Sequence, residues 1–280
     1  MGANSSLRRA AKRIIHPLVP EPAYRLFQTV AKACDIRSGR WSEPELDLVR
    51  LGAREGDTVL DIGANFGLYS YHFSRAVGDS GRVLAFEPIP ETSTTLGLVV
   101  RLLRLSNVQV FPLGVADETG RMAFEVPLQS SGALAAGQAY VGLRHDDHPG
   151  REQQVRWSST KRVQGDVVRL DDFLPNLSNL SFLKCDIEGA ELFAFRGGAR
   201  TITRHLPSVI CEINPWFLEG FGIDAEALTG FFLERGYGLY RYIEGRLLLQ
   251  SPSDIVEDNY VFLHPSRIDA FAPLLEHESL

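Results

Sequence analysis

Thr58-Val59-Leu60-Asp61-Ile62-Gly63-Ala64-Asn65-Phe66-Gly67 marks where the chain becomes regular. A short apolar run ends in an acid, two glycines turn the backbone, and a helical pattern follows over about Tyr69 to Val77. Strand, tight turn and helix in that order form the repeating unit of a parallel sheet covered by helices. Outward from this unit, Val83-Leu84-Ala85-Phe86-Glu87 reads as a second strand, with a helix from about Glu91 to Leu105 and a third strand over Val108 to Leu113. The pattern returns with Phe182-Leu183-Lys184-Cys185-Asp186, a helix around Ala190 to Thr203, and Ser208-Val209-Ile210-Cys211-Glu212. A helix over Ala225 to Arg235 leads to apolar runs at Tyr237 to Tyr242, Arg246 to Leu249 and Asn259 to Leu263. The expected class is α/β.

Open parallel sheets bind ligands beyond the carboxyl ends of their strands. Asp61, Glu87, Asp186 and Glu212 stand at four such ends, and ionised groups are rarely buried without partners. The first turn has the spacing Gly63-x-Asn65-x-Gly67 after an acid, unlike the G-x-G-x-x-G of dinucleotide enzymes. A carboxylate there repels a pyrophosphate and suits the ammonium of an amino-acid-like cofactor. Glu87 can accept from two ribose hydroxyls. Together these residues point to S-adenosylmethionine.

With these stretches the sequence resembles the FkbM-type S-adenosylmethionine-dependent methyltransferases over roughly 57–263. The carriers are the first turn with Ser70, Ala85-Phe86-Glu87-Pro88-Ile89-Pro90, Asn107-Val108, Gly114-Val115-Ala116-Asp117 with Gly120, and Arg169-Leu170-Asp171-Asp172. The most specific is Asp186-Ile187-Glu188-Gly189-Ala190-Glu191, similar to the family's Asp-x-Glu-Gly-Ala-Glu signature and followed by Gly198-Ala199. Cys185 and the Gly114 to Asp117 stretch depart modestly from the usual pattern. The resemblance implies a class I methyltransferase (Rossmann-like) α/β sheet, mostly parallel with an antiparallel strand near the C-terminus, and helices on both faces. It also implies methyl transfer to a hydroxyl on a saccharide, glycolipid or natural-product acceptor. Cofactor contacts are expected at Asp61, Gly63, Asn65, Gly67, Glu87 and Asp117.

An alcohol needs a base or a Lewis acid before it attacks. Asp186, Glu188 and Glu212 are the catalytic candidates, because adjacent strands bring them together. One carboxylate acts as general base, or Asp186 and Glu212 hold Mg²⁺, a hard cation suited to oxygen ligands. Glu191 has a second reading, as an acid favourably placed at a helix N-terminus. His145 and His148 read as solvated loop residues, His72 and His205 as packed or surface ones, and Trp216, Phe217 and Phe221 as a cover for the acceptor or as core. Two competing functions remain at this level: a nicotinamide-dependent oxidoreductase, and a non-catalytic module that keeps the cofactor fold.

The chain has 280 residues, 44% hydrophobic and 23% charged, the balance of a folded protein. Its formal charge is -6, yet residues 1–42 hold eight Lys/Arg against two Asp/Glu, so the body is strongly acidic and is not expected to grip nucleic acid. The expected organisation is a basic helical arm (1–42), a methyltransferase domain (43–265) with a variable insertion at about 127–162, and a C-terminal tail (266–280). The arm reads as a helix packed on the body or as a peripheral contact with an anionic membrane. No run is long and apolar enough for a membrane span and no secretory core follows Arg13, so a cytoplasmic location is expected, with contact at the inner face of the membrane as the arm's second reading. Cys34, Cys185 and Cys211 show no paired spacing and suggest neither disulfide nor zinc.

Overall fold

The computed structural model describes residues 21–127, 140–141 and 160–275. Strands β1 (Thr58–Ile62), β2 (Arg82–Phe86) and β3 (Val108–Phe111) precede a second group, β4 (Gly114–Val115), β5 (Gly120–Pro127), β6 (Tyr140–Val141) and β7 (Thr160–Val168). The chain returns through β8 (Leu180–Cys185), β9 (Ser208–Ile213), β10 (Gly238–Ile243), β11 (Arg246–Leu249) and β12 (Asp258–Leu263). The main sheet has the order β11-β10-β12-β9-β8-β1-β2-β3. Strands β3, β2, β1, β8 and β9 are mutually parallel, and β12 runs antiparallel between β9 and β10. The edge hairpin β10-β11 adds a second reversed strand. The mostly parallel sheet expected from the sequence is present, and strand order reverses between β1 and β8.

Central parallel strands are covered on both faces, so they read as nearly continuous apolar runs. Their alternation divides two cores. Leu60, Ile62, Leu183, Cys185, Val209 and Cys211 face one; Val59, Phe182 and Ile210 face the other, under Leu68, Tyr69 and Phe73 of the helix Leu68–Val77. The same period of two sends Asp61, Lys184, Asp186 and Glu212 towards that second face, near the carboxyl ends of the strands.

A four-stranded sheet, β4-β7-β5-β6, closes over the ends of β2 and β3. Its ladder pairs Gly120 with Val167 and runs to Pro127 with Thr160. The irregular insertion expected at about 127–162 therefore leaves from the far end of an antiparallel pair. Most of it, including His145 and His148, lies outside the described residues, as does the start of the arm.

Two segments set apart in the sequence as arm and tail contribute to the core. The helix Glu21–Arg37 carries Ala33 and Ile36 into it. The 3-10 helix Ile268–Leu274 buries Phe271, whose ring joins that of Phe182 in filling the space where a side chain on Gly52 would stand. Among the described residues no helix is long and apolar enough to cross a membrane.

Candidate active site

The turn after β1 is built from unusual backbone. Gly63 has φ +76°, Asn65 +49° and Gly67 +90°, and the amides of Gly63 and Ala64 both donate to the carbonyl of Phe86, at 3.0 and 2.9 Å. A side chain on Gly63 would coincide with the carbonyl of Asp186, so glycine alone lets the ends of β1 and β8 come this close. The amide of Asp186 completes the junction by donating to Ile62 at 3.1 Å.

Glu87, the residue after β2, is buried and braces the turn. Its Oε2 accepts from the amide of Asn65 and its Oε1 from the amide of Ile89, each at 3.0 Å. Burial nonetheless raises its pKa to about 7, against the pull of those two amides. Each oxygen keeps a lone pair for another donor.

Behind the turn lies a buried ionic row. Asp61 is fully buried; its Oδ2 accepts from the hydroxyl of Ser70 at 2.5 Å and its Oδ1 has no protein partner. Burial raises the Asp61 pKa, opposed by Lys184, its register partner on β8, and by Ser70. Lys184 is itself buried, donates to Asp186 Oδ2 at 2.8 Å and lies 5.0 Å from the centre of the Tyr69 ring. Burial works against its charge, and Asp186 and Asp61 outweigh burial, so it stays an ammonium.

Asp186, Glu188 and Glu212 can bring one carboxylate oxygen each within 4.8 Å of one another. Burial and the neighbouring Asp186 push Glu212 up to about 11, so it holds a proton and donates it in a hydrogen bond to Asp186. Asp186 stays ionised, because Lys184 and these hydrogen bonds overcome its own burial. Glu188 is held at φ +57°, followed by Gly189 at +99°, where a side chain would strike the carbonyl of Phe217. Glu191 locks this turn: its Oε1 accepts from the amides of Ile187 and Gly189 at 2.9 and 3.1 Å. Its other oxygen is buried without a protein partner, and burial raises its pKa to about 7 against those amides.

A cavity of about 250 Å³ opens beside the turn, between the main sheet and the smaller one. Gly63, Asn65, Glu87, Asp117, Asp186 and Glu188 line it. Asp61, Gly67 and Glu212 do not: Asp61 sits behind the turn, Gly67 begins the helix Leu68–Val77, and Glu212 reaches the site through Asp186. The apolar walls include Met122 and Phe124 of β5 and Val167 of β7. Phe193 and Phe221, in edge-to-face contact at 5.6 Å, close another side. Of the aromatic cover expected after β9, Phe221 lines the cavity while Trp216 and Phe217 pack on each other. His205 is engaged with the carbonyl of Leu177, and His72 lines a separate surface groove.

Sequence reasoning did not single out Lys184, Met122, Phe124, Val167 or Phe193. Lys184 carried a signal, being the one charged residue inside an otherwise apolar strand. The others carried none, because the pairing of β5 with β7 spans a long insertion.

Residues 61–239 match the model of the methyltransferase FkbM domain. "Methyltransferase 1" of Beauveria bassiana is 34% identical over 146 residues, covering 50% of this chain and 57% of its own length. "Methyltransferase sdnD" of Sordaria araneosa is 25% identical over 198 residues, covering 65% and 74%. The crystal structure of methyltransferase FkbM from Methylobacillus flagellatus KT aligns with TM-score 0.47 and 21% identity, over 74% of this chain and 43% of the other. The chain thus spans little more than half of the first relative and less than half of the solved one.

Proposed function

The chain belongs to the methyltransferase FkbM family, and from that premise we propose that it moves the methyl group of S-adenosylmethionine onto a hydroxyl oxygen of a saccharide, glycolipid or natural product. The observation that carries this reading is the acidic lining of the cavity: Glu87, Asp117, Asp186 and Glu188 contribute to it, and the buried Lys184 is held against Asp186. Such a lining attracts a sulfonium and an ammonium and repels a pyrophosphate. That disfavours a dinucleotide.

The residues present fit the cofactor. Asn65 Oδ1 is a buried acceptor without a protein partner at the turn, suited to the ammonium of the amino-acid end. The free lone pairs of Glu87 suit the ribose hydroxyls, and Asp117 beside Ala116 and Ile89 suits the base. The cofactor supplies an electrophilic methyl group with a neutral thioether as leaving group. Asp61 acts indirectly, ordering the first helix through Ser70 and balancing Lys184.

The chain must align the acceptor and take its proton. Asp186 is an ionised carboxylate on the cavity wall, and the acceptor proton passes to it while Glu212 holds its own. The second reading of the trio, a Mg²⁺ site, is favoured by the three hard oxygens within 4.8 Å: a cation there would displace the proton shared by Asp186 and Glu212. Transfer of a labelled methyl group to a panel of saccharides and natural products, with the modified atom located by NMR, tests the reaction class. An O-methyl product supports it; an N- or C-methyl product refutes it.

A further inference from the structure

The helix Glu21–Arg37 shows apolar side chains to solvent as well as to the core, into which it sends Tyr24, Ala33 and Ile36. Thr29 and Asp35 are buried against the body, and Lys32 is spent on the rings of Trp41 and Phe66, 4.2 and 4.6 Å from their centres. Leu26, Phe27 and Val30, by contrast, are 59%, 53% and 44% exposed. At 100° per residue these three fall within one stripe of the helix, continued by exposed Cys34 and exposed Arg37. A helix that keeps one apolar face in the core and shows a second apolar stripe to solvent is built to meet a second apolar phase.

The surroundings say which phase. Arg37 lines a groove with exposed Arg75 and Arg104 and with Leu102, itself 51% exposed; Glu55 and Asp79 are the acids there. Arg101 is exposed on the neighbouring helix Pro90–Leu102, which packs against Glu21–Arg37. The chain enters the helix from a stretch holding Arg8, Arg9, Lys12 and Arg13, so residues 1–42 are strongly basic beside an acidic body. Apolar residues flanked by cations match the edge of an anionic bilayer, where side chains enter the acyl boundary and arginines meet headgroups. A second copy of this chain would instead bring like charges together.

We propose that the outward face of Glu21–Arg37, with Arg37, Arg101 and Arg104 beside it, docks on an anionic lipid surface. The contact of Lys32 with Phe66 ties this helix to the turn that contributes Gly63 and Asn65 to the lining of the cavity. The inference does not depend on the reaction assigned to that cavity.

Co-sedimentation of the full chain with vesicles of phosphatidylcholine and phosphatidylglycerol, beside vesicles of phosphatidylcholine alone, tests it. Binding is expected only to the anionic vesicles, to weaken with salt, and to fall about tenfold or more in Leu26→Glu/Phe27→Glu. Both positions are exposed, so circular dichroism of that variant should match the parent. A fluorophore on Cys34, the exposed cysteine, should shift to the blue on the same vesicles. Absence of anionic binding, or equal binding by parent and variant, overturns the proposal. So does a dimer in light scattering that Phe27→Glu dissolves while vesicles are ignored.

Discussion

Lys184, the penultimate residue of β8, and Asp186, the first residue beyond it, form an ion pair at 2.8 Å in which the lysine side chain is 5% exposed and the aspartate 38%. The pair faces Asp61 on one side and Glu212 on the other. One cation therefore organises three carboxyl groups. Lys184→Met should remove the partner of a carboxylate that is only partly exposed, an effect of about 1.5–3 kcal/mol on stability after allowing for solvent screening at Asp186. Chemical denaturation checks this, with Lys184→Arg expected to recover part of the loss.

Asp186→Asn should suppress turnover by about 100-fold or more, the scale of a lost general base, while cofactor affinity falls far less and stability drops because the Lys184 ammonium keeps Asp61 alone as its ionised neighbour. Single-turnover methyl transfer beside cofactor titration separates the two. If turnover survives, the proton leaves by another route. Indifference to a chelator supports the base; loss of activity restored by Mg²⁺ supports the cation.

The carboxyl ends of the central strands were legible because burial on both faces writes β1, β2, β8 and β9 as apolar runs, and an acid interrupts each run where the site begins. The smaller sheet was not. Alternation in Gly120–Pro127 and Thr160–Val168 is weak, and neither segment buries a face until it meets the other across the insertion. The site shows the same division: Asp186, Glu188 and Glu212 could be grouped from strand order alone, whereas the placing of Asp61 behind the turn depends on Ser70 and Lys184 lying on one face.

Glu87 and Glu191 have pKa values raised from 4.5 to about 7 by burial. Groups with a raised folded pKa contribute stability that is full below the unfolded value and is lost as pH climbs through the folded one. The melting temperature of the free protein should therefore fall between about pH 5 and 8. Glu87→Gln and Glu191→Gln should each flatten that slope, by up to roughly 3 kcal/mol across the window. Unchanged slopes would remove both groups from the balance.

Hydroxyl donors favour the ionised form of Glu87, so a ligand that uses it should bind more tightly as pH rises from 6 to 8 and should release protons on binding. Titration in buffers of different ionisation enthalpy reads the proton count. Glu87→Gln should abolish the dependence.

Gly63→Ala places a side chain onto the Asp186 carbonyl at a backbone angle that alanine resists. The junction of β1 and β8 must then open, at about 2 kcal/mol or more in stability, with loss of cofactor binding. Thermal melts and ligand titration on the same sample check both.

The central claim is that the acid-lined cavity beside Gly63 holds S-adenosylmethionine. Calorimetric titration of the full chain with S-adenosylhomocysteine, beside NAD, tests it most directly. Micromolar binding of the first and none of the second is expected. Binding of NAD, or of neither, would contradict it.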